Sequence, residues 1–273
     1  MMARKPIFER DVFLDYWSTS MHGDQIGIYG HEPEQASTRT LTKDFNICGE
    51  VLDGDRKGVY GYRRDAWEPD TRDPLEYYTR KRLVLRWFDR GYGDKLEPVG
   101  ALEEMTLDSI RKTMIADDPL HSFKVIIDEY QHVILLTKEH ARLPGRMGEM
   151  WGFAVTTDPY DKEWEVFLLD ERRFTIGTDF DAKKDELKDV LVRLDERVFS
   201  LGKKIKITFY NKRLYECKTF YRTIILFAMM FHFKKELRHK IQRARELISS
   251  SGKTFSIDPN EALFNKNPRF VKS

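Results

Sequence analysis

Cysteine is nearly missing from this sequence. Cys48 and Cys217 are the only two in 273 residues, far apart and outside any CxxC pattern. A disulfide framework is thereby excluded, and a reducing intracellular compartment is the expectation, the cytoplasm first, with organelle import left open. Recognisable catalytic motifs are absent as well. The seven histidines are scattered, with no HExxH or HxH, so no metal centre and no cofactor are expected. There is no GxxxxGK[ST], GxGxxG or GxSxG, which removes the usual phosphate loops and the nucleophile elbow. The stretch Asp53-Gly54-Asp55-Arg56-Lys57-Gly58 opens like a calcium loop, but its fifth position is Lys57 and its twelfth is Arg64, where a bidentate glutamate is required. Nearly all of the acids around one hairpin, Asp158, Asp161, Glu163, Asp170 and Glu171, have Lys or Arg close by in sequence, the pattern of a charge-mixed surface rather than of a catalytic pair. Long apolar runs are also lacking. The longest, Thr223–Phe233, is about half the roughly 20 residues of a spanning helix. The first fifteen residues contain acids and no apolar segment of secretory type.

What is present is a core-forming composition: 41% hydrophobic and 13% aromatic residues exclude wholesale disorder. The formal net charge is only +2, yet it is unevenly distributed. Residues 1–55 hold five Lys/Arg and ten Asp/Glu, whereas residues 200–273 hold seventeen and five. An acidic start and a basic end call for an anionic partner at the C-terminal end, or for the two ends meeting each other.

The densest apolar run and the densest basic run adjoin in Lys218–Ser250. The spacing predicts one long helix near 219–249, buried on nearly all sides in its first half. Its second half is amphipathic and cationic, with Leu237, Ile241, Ala244 and Leu247/Ile248 as its stripe. A second helix is predicted over Asp181–Leu201 from Leu187, Val190, Leu191, Leu194 and Val198, with Asp181 as N-cap and Gly202 as C-cap. A shorter one is predicted within Gly100–Ala116, ended by Asp117-Asp118-Pro119. Strand patterns run through Leu83–Phe88 and three hairpin candidates: 122–139, turning at Asp128-Glu129-Tyr130-Gln131; 151–169, turning at Asp158-Pro159; and 203–220, turning at Asn211-Lys212. Their short connections imply antiparallel pairing.

The resulting expectation is an α+β fold: an antiparallel hairpin sheet packed by the helices near 181–201 and 219–249, with extended N- and C-terminal arms. Its divisions are an N-terminal arm, 1–58, a core, 59–217, the apolar-to-basic helix, 218–250, and a docking tail, 251–273. A variant is a pleckstrin-like barrel closed by a C-terminal helix, although a helix at 181–201 would interrupt its strand order. The expected function is non-catalytic: a structural or adaptor subunit of a larger intracellular assembly. Its partner-binding residues would be Lys234, Lys235, Arg238, Lys240, Arg243 and Arg245 on the helix, Phe264 and Phe270 in the tail, and Phe13 and Trp17 in the N-terminal arm. Other protein subunits are the expected partners, with no small-molecule substrate. The alternatives are a nucleic-acid backbone tracked by the basic helix, and an anionic membrane surface with 220–233 as anchor.

Overall fold

A computed structural model describes residues 8–16, 45–90, 96–116, 118–128, 132–139, 149–157, 164–172, 179–184, 189–197, 203–252 and 261. Twelve strands form a closed barrel in which each is antiparallel to both neighbours and successive strands are adjacent. They are β1 (Arg10–Tyr16), β2 (Phe45–Asp53), β3 (Arg56–Arg63), β4 (Val84–Arg90), β5 (Leu96–Glu104) and β6 (Ser122–Ile127), followed by β7 (His132–Glu139), β8 (Met150–Val155), β9 (Glu165–Glu171), β10 (Phe180–Lys184), β11 (Val192–Arg197) and β12 (Lys203–Phe209). The ring is completed where β1 meets β12, with Val12 opposite Ile207 and Leu14 opposite Ile205. Closure leaves no unpaired strand edge.

A period of two assigns the faces. Val12, Leu14, Leu102, Val125, Leu136, Phe167, Leu169, Leu194 and Ile207 point inward and are buried. Charges alternate with them on the outside, where Asp181 pairs with Arg193 at 3.1 Å, Asp11 with Lys206 at 2.9 Å and Asp15 with Lys204 at 2.9 Å. An apolar interior and a charged exterior are the reverse of a membrane-spanning barrel.

Twelve strands enclose more space than their own side chains fill, since eight already suffice for a side-chain-packed interior. Here the remaining volume is filled by helix α5 (Lys218–Met230), in which every residue from Thr223 to Met230 is buried. Its rings meet the wall in several directions. Phe220 packs on Phe167 at 4.6 Å and Phe153 at 5.8 Å, and Phe227 on Trp151 and Phe180, both at 5.5 Å. On other sides Tyr221 stacks on Phe209, and Leu226 approaches Gly100 so closely that a Cβ there would stand 3.2 Å from its Cδ1. Each large apolar side chain so buried contributes about 2 kcal/mol of transfer free energy. The helix is pinned at its entrance by polar contacts: the Tyr221 hydroxyl donates to Asp53 at 2.9 Å, and Arg222 donates to the Val99 carbonyl at 2.9 Å.

This architecture corrects the α+β expectation in five places. The described residues of 181–201 hold strands β10 and β11 where a helix was expected, with Phe180 opposite Leu194 and Ala182 opposite Val192. The apolar residues there fit a helical stripe, but pairing with β9 and β12 offers both strands a complete ladder, and tertiary context overrides the local pattern. With that helix gone the strand order is uninterrupted, and the fold is a closed barrel of twelve strands with α5 inside it, unlike both the hairpin sheet and the helix-closed barrel weighed on sequence grounds. The long helix near 219–249 is two helices: α5 ends at Met230, a 3-10 turn covers Phe231–Phe233, and α6 runs from Lys234 to Ser251 outside the barrel. The expected extended N-terminal arm supplies β1, β2 and the start of β3 to the wall. Gly100–Ala116 divides into the end of β5 and helix α3 (Thr106–Ala116). The third hairpin is strand β12 followed by helix α4 (Lys212–Glu216), because Asn211 caps that helix by accepting from the Leu214 N–H. The first two hairpins are present as β6–β7 and β8–β9.

Candidate interaction surface

Two short helices, α1 (Arg64–Trp67) and α2 (Pro74–Arg80), lie between β3 and β4 at the rim where α5 leaves the barrel. The 3-10 turn redirects the chain there. Phe233 enters an aromatic cluster with Tyr62 at 5.3 Å and Trp67 at 5.7 Å, and Tyr16 stacks on His232 at 4.2 Å. Helix α6 then crosses the rim. Its stripe of Ile241, Ala244 and Ile248 packs on Ile110 of α3, with Leu75 and Tyr78 of α2 and Leu107 of α3 alongside. Gly252, at φ +63°, ends the helix in the left-handed conformation that glycine adopts without strain.

The six expected cations of α6 lie in different settings. Lys234 is tied to the barrel, 3.1 Å from both Glu149 and Glu171. Burial pushes the Glu149 carboxyl up, and the ammoniums of Lys234 and Lys138 outweigh it, holding the group below its ordinary range. Lys240 is 1% exposed. Its Nζ donates to Glu104 at 2.5 Å, to the Lys81 carbonyl at 2.8 Å and to the Thr106 hydroxyl at 3.3 Å. Burial lowers its pKa, and Glu104 opposes that shift. Its place on a partner-facing surface is therefore corrected: Lys240 faces the barrel. The exposed Arg243 pairs with Glu246 at 2.8 Å, and Arg245 is half-buried. Lys235 and Arg238 are exposed one turn apart and have no ion pair to another described residue. They stand next to the acid Glu236 on this face.

Phe13 lies on the outer face of β1, half-buried, with Lys206 and Leu52 as its lateral neighbours. Trp17, Phe264 and Phe270 lie outside the described residues. Sequence reasoning missed the acids that receive α6: Glu104, Glu149 and Glu171. Nothing in local spacing marks them, because they lie 63 to 136 residues away along the chain. One signal was available for Lys240. It stands three residues after Leu237 and four before Ala244, on the apolar stripe itself, where a lysine needs a buried partner.

The charge imbalance between the chain ends is partly consumed within the molecule. Asp11 and Asp15 of the first strand meet Lys206 and Lys204 of the last. Asp53, at the end of β2, accepts from Arg10 at 3.1 Å, Tyr215 at 2.8 Å and Tyr221 at 2.9 Å. Among the described residues no group of three or more His, Cys, Asp or Glu is placed to hold a metal ion, and no helix is long and apolar enough to cross a membrane. Comparisons with protein-family models, with curated proteins and with solved structures returned no match.

Proposed function

We propose that this protein is a non-catalytic structural or adaptor subunit of a larger assembly in a reducing intracellular compartment. In this reading it contacts protein partners through the outward face of α6 and its terminal segments. One observation carries it: the barrel encloses its own helix, so the lumen that many barrels devote to a ligand is filled by α5. Recognition then falls to the exterior, where Lys235 and Arg238 are exposed cations of α6 with no ion pair to another described residue. A nucleic-acid backbone is the weaker reading, because Lys234, Lys240 and Arg243 are neutralised by the protein's own acids and the remaining positive charge is sparse. Membrane anchoring by 220–233 is weaker still, since that stretch packs inside the barrel wall.

The test is a gentle purification from the native source, followed by sizing and mass spectrometry. The expected result is a stoichiometric complex that Lys235→Glu/Arg238→Glu weakens without moving the thermal midpoint. Elution as a lone 32.4 kDa monomer would remove the adaptor reading. Co-purifying nucleic acid, released in proportion to added salt, would replace it with the polyanion reading.

A further inference from the structure

The outer wall of the barrel is not charged throughout. Between the buried inward residues of β7, β8 and β9, a period of two turns Val133 and Leu135, Gly152 and Ala154, and Val166 and Leu168 outward. The registers set these residues in rows. Ala154 stands opposite Val166 and Gly152 opposite Leu168. On the other side, the pairing of Leu136 with Phe153 puts Leu135 beside Ala154. Strand β8 is thus the floor of a shallow apolar groove, since Gly152 and Ala154 carry one methyl group between them. The larger side chains of β7 and β9 form its ridges. Val166 is 44% exposed, and Trp164, two residues before it, 41%. By contrast, the outer face of the β12–β1 seam carries the ion pairs Asp11–Lys206 and Asp15–Lys204. A contiguous apolar face rimmed by polar groups marks a contact surface.

We propose that this face is an interface with a second copy of the chain, in which the β9 ridge of each copy lies in the β8 groove of the other. A twofold axis running along the strands, between β8 and β9, exchanges those two strands across the interface. That operation preserves the rows, so Val166 of one copy meets Ala154 of the other, and Leu168 meets Gly152. Each side supplies both ridge and groove, which is what an isologous contact requires. Charge also suits a second copy. The central residues are uncharged, and the edge charges are already neutralised as Asp170–Lys183 at 3.6 Å and Glu103–Lys124 at 3.5 Å, so identical copies meet without like-charge repulsion. Size sets the strength: three strands of about five residues cover roughly 250 Å², against about 800 Å² per partner in a standard interface. With its rim, such a face supports a reversible dimer with a dissociation constant on the order of tens of micromolar. The inference does not rest on the adaptor reading, which uses α6.

The experiment is sedimentation equilibrium on the purified full-length chain, from about 2 to about 200 µM. The wild type is expected to pass from monomer to dimer across that range. Val166→Glu puts a charge into the groove of the other copy and should weaken the dimer at least about tenfold. Ala154→Trp fills the groove and should weaken it about tenfold as well, although it adds apolar surface. Both positions face outward, so urea unfolding should show each variant folded, with a midpoint close to that of the wild type. Lys235→Glu/Arg238→Glu should leave the dimer unchanged. A monomer at every concentration overturns the proposal, as does a dimer that persists in Val166→Glu. A dimer strengthened by Ala154→Trp overturns it too, because unspecific apolar association gains from added surface. Loss of the dimer in Lys235→Glu/Arg238→Glu would move the interface to α6 and overturn the assignment to the wall. If native purification yields this dimer and no other protein, the adaptor reading falls while the interface stands.

Discussion

His121 shows how much a single side chain here depends on its surroundings. It is buried, with its ring parallel to Trp151 at a centroid distance of 6.2 Å and next to Phe123. Burial pushes the imidazole down to about 3, with Lys240, Lys138 and Arg238 adding to the shift and Glu149 opposing it. The folded state therefore holds this histidine neutral, while the unfolded chain protonates it near the ordinary 6.5. Between those values the unfolded state binds more protons, so stability is full above pH 6.5 and is lost as the pH falls towards 3. At about 1.4 kcal/mol per pH unit, the loss between pH 6.5 and 5 is about 2 kcal/mol. Urea titrations at those two pH values should show it in the wild type and largely lose it in His121→Phe, which keeps a flat ring in the stack. Equal pH dependence in both proteins would place the sensitivity elsewhere.

At the scale of elements, α6 is fastened by a buried ion pair as well as by its apolar stripe. Removing one member of such a pair leaves an uncompensated buried charge, at a cost of about 3–5 kcal/mol. Lys240→Met should show that loss in urea unfolding, because Glu104 is then left in the rim with the Leu83 N–H as its remaining donor among the described residues. Lys240→Met/Glu104→Gln should regain most of it, since glutamine still accepts from Leu83 and carries no charge. Equal stability of the single and double variants would show that the pair is not coupled. The two local hairpins β6–β7 and β8–β9 were legible in sequence because a short connection dictates antiparallel pairing of its flanks. The stretch 181–201 was not, because Val190, Leu191 and Leu194 suit a helical stripe as well as strands. The choice was made by β9 and β12, which flank it only in the folded barrel.

For the whole molecule the decisive contact is the seam between β1 and β12, whose paired residues, from Tyr16–Lys203 to Arg10–Phe209, stand 187 to 199 positions apart in sequence. Contacts of such long range carry a large loop-closure cost before they are rewarded. Complementary charges on the outer faces of the two strands favour this pairing and its register. Lys204→Glu/Lys206→Glu sets like charges against Asp15 and Asp11 and should lower the urea midpoint by the equivalent of about 1–2 kcal/mol. Adding Asp11→Lys/Asp15→Lys should restore much of it, and salt should shrink the difference. A midpoint unmoved by the first pair of changes would mean that closure is governed by the inward side chains alone.

Taken by itself, the sequence determined local matters: alternating residues for many strands, helical spacing after Lys218, an apolar run too short to span a membrane, and an acidic start with a basic end. These follow from the periods of two and 3.6, which act over a few residues. Only the tertiary structure decided that the strands close on themselves, that α5 fills the ring, and which α6 cations are paired within the molecule. It also decided that Glu261 returns to α3. Each of these is settled by partners tens to nearly two hundred residues away, and burial and charge compensation act on distance in space, for which spacing along the chain is no guide.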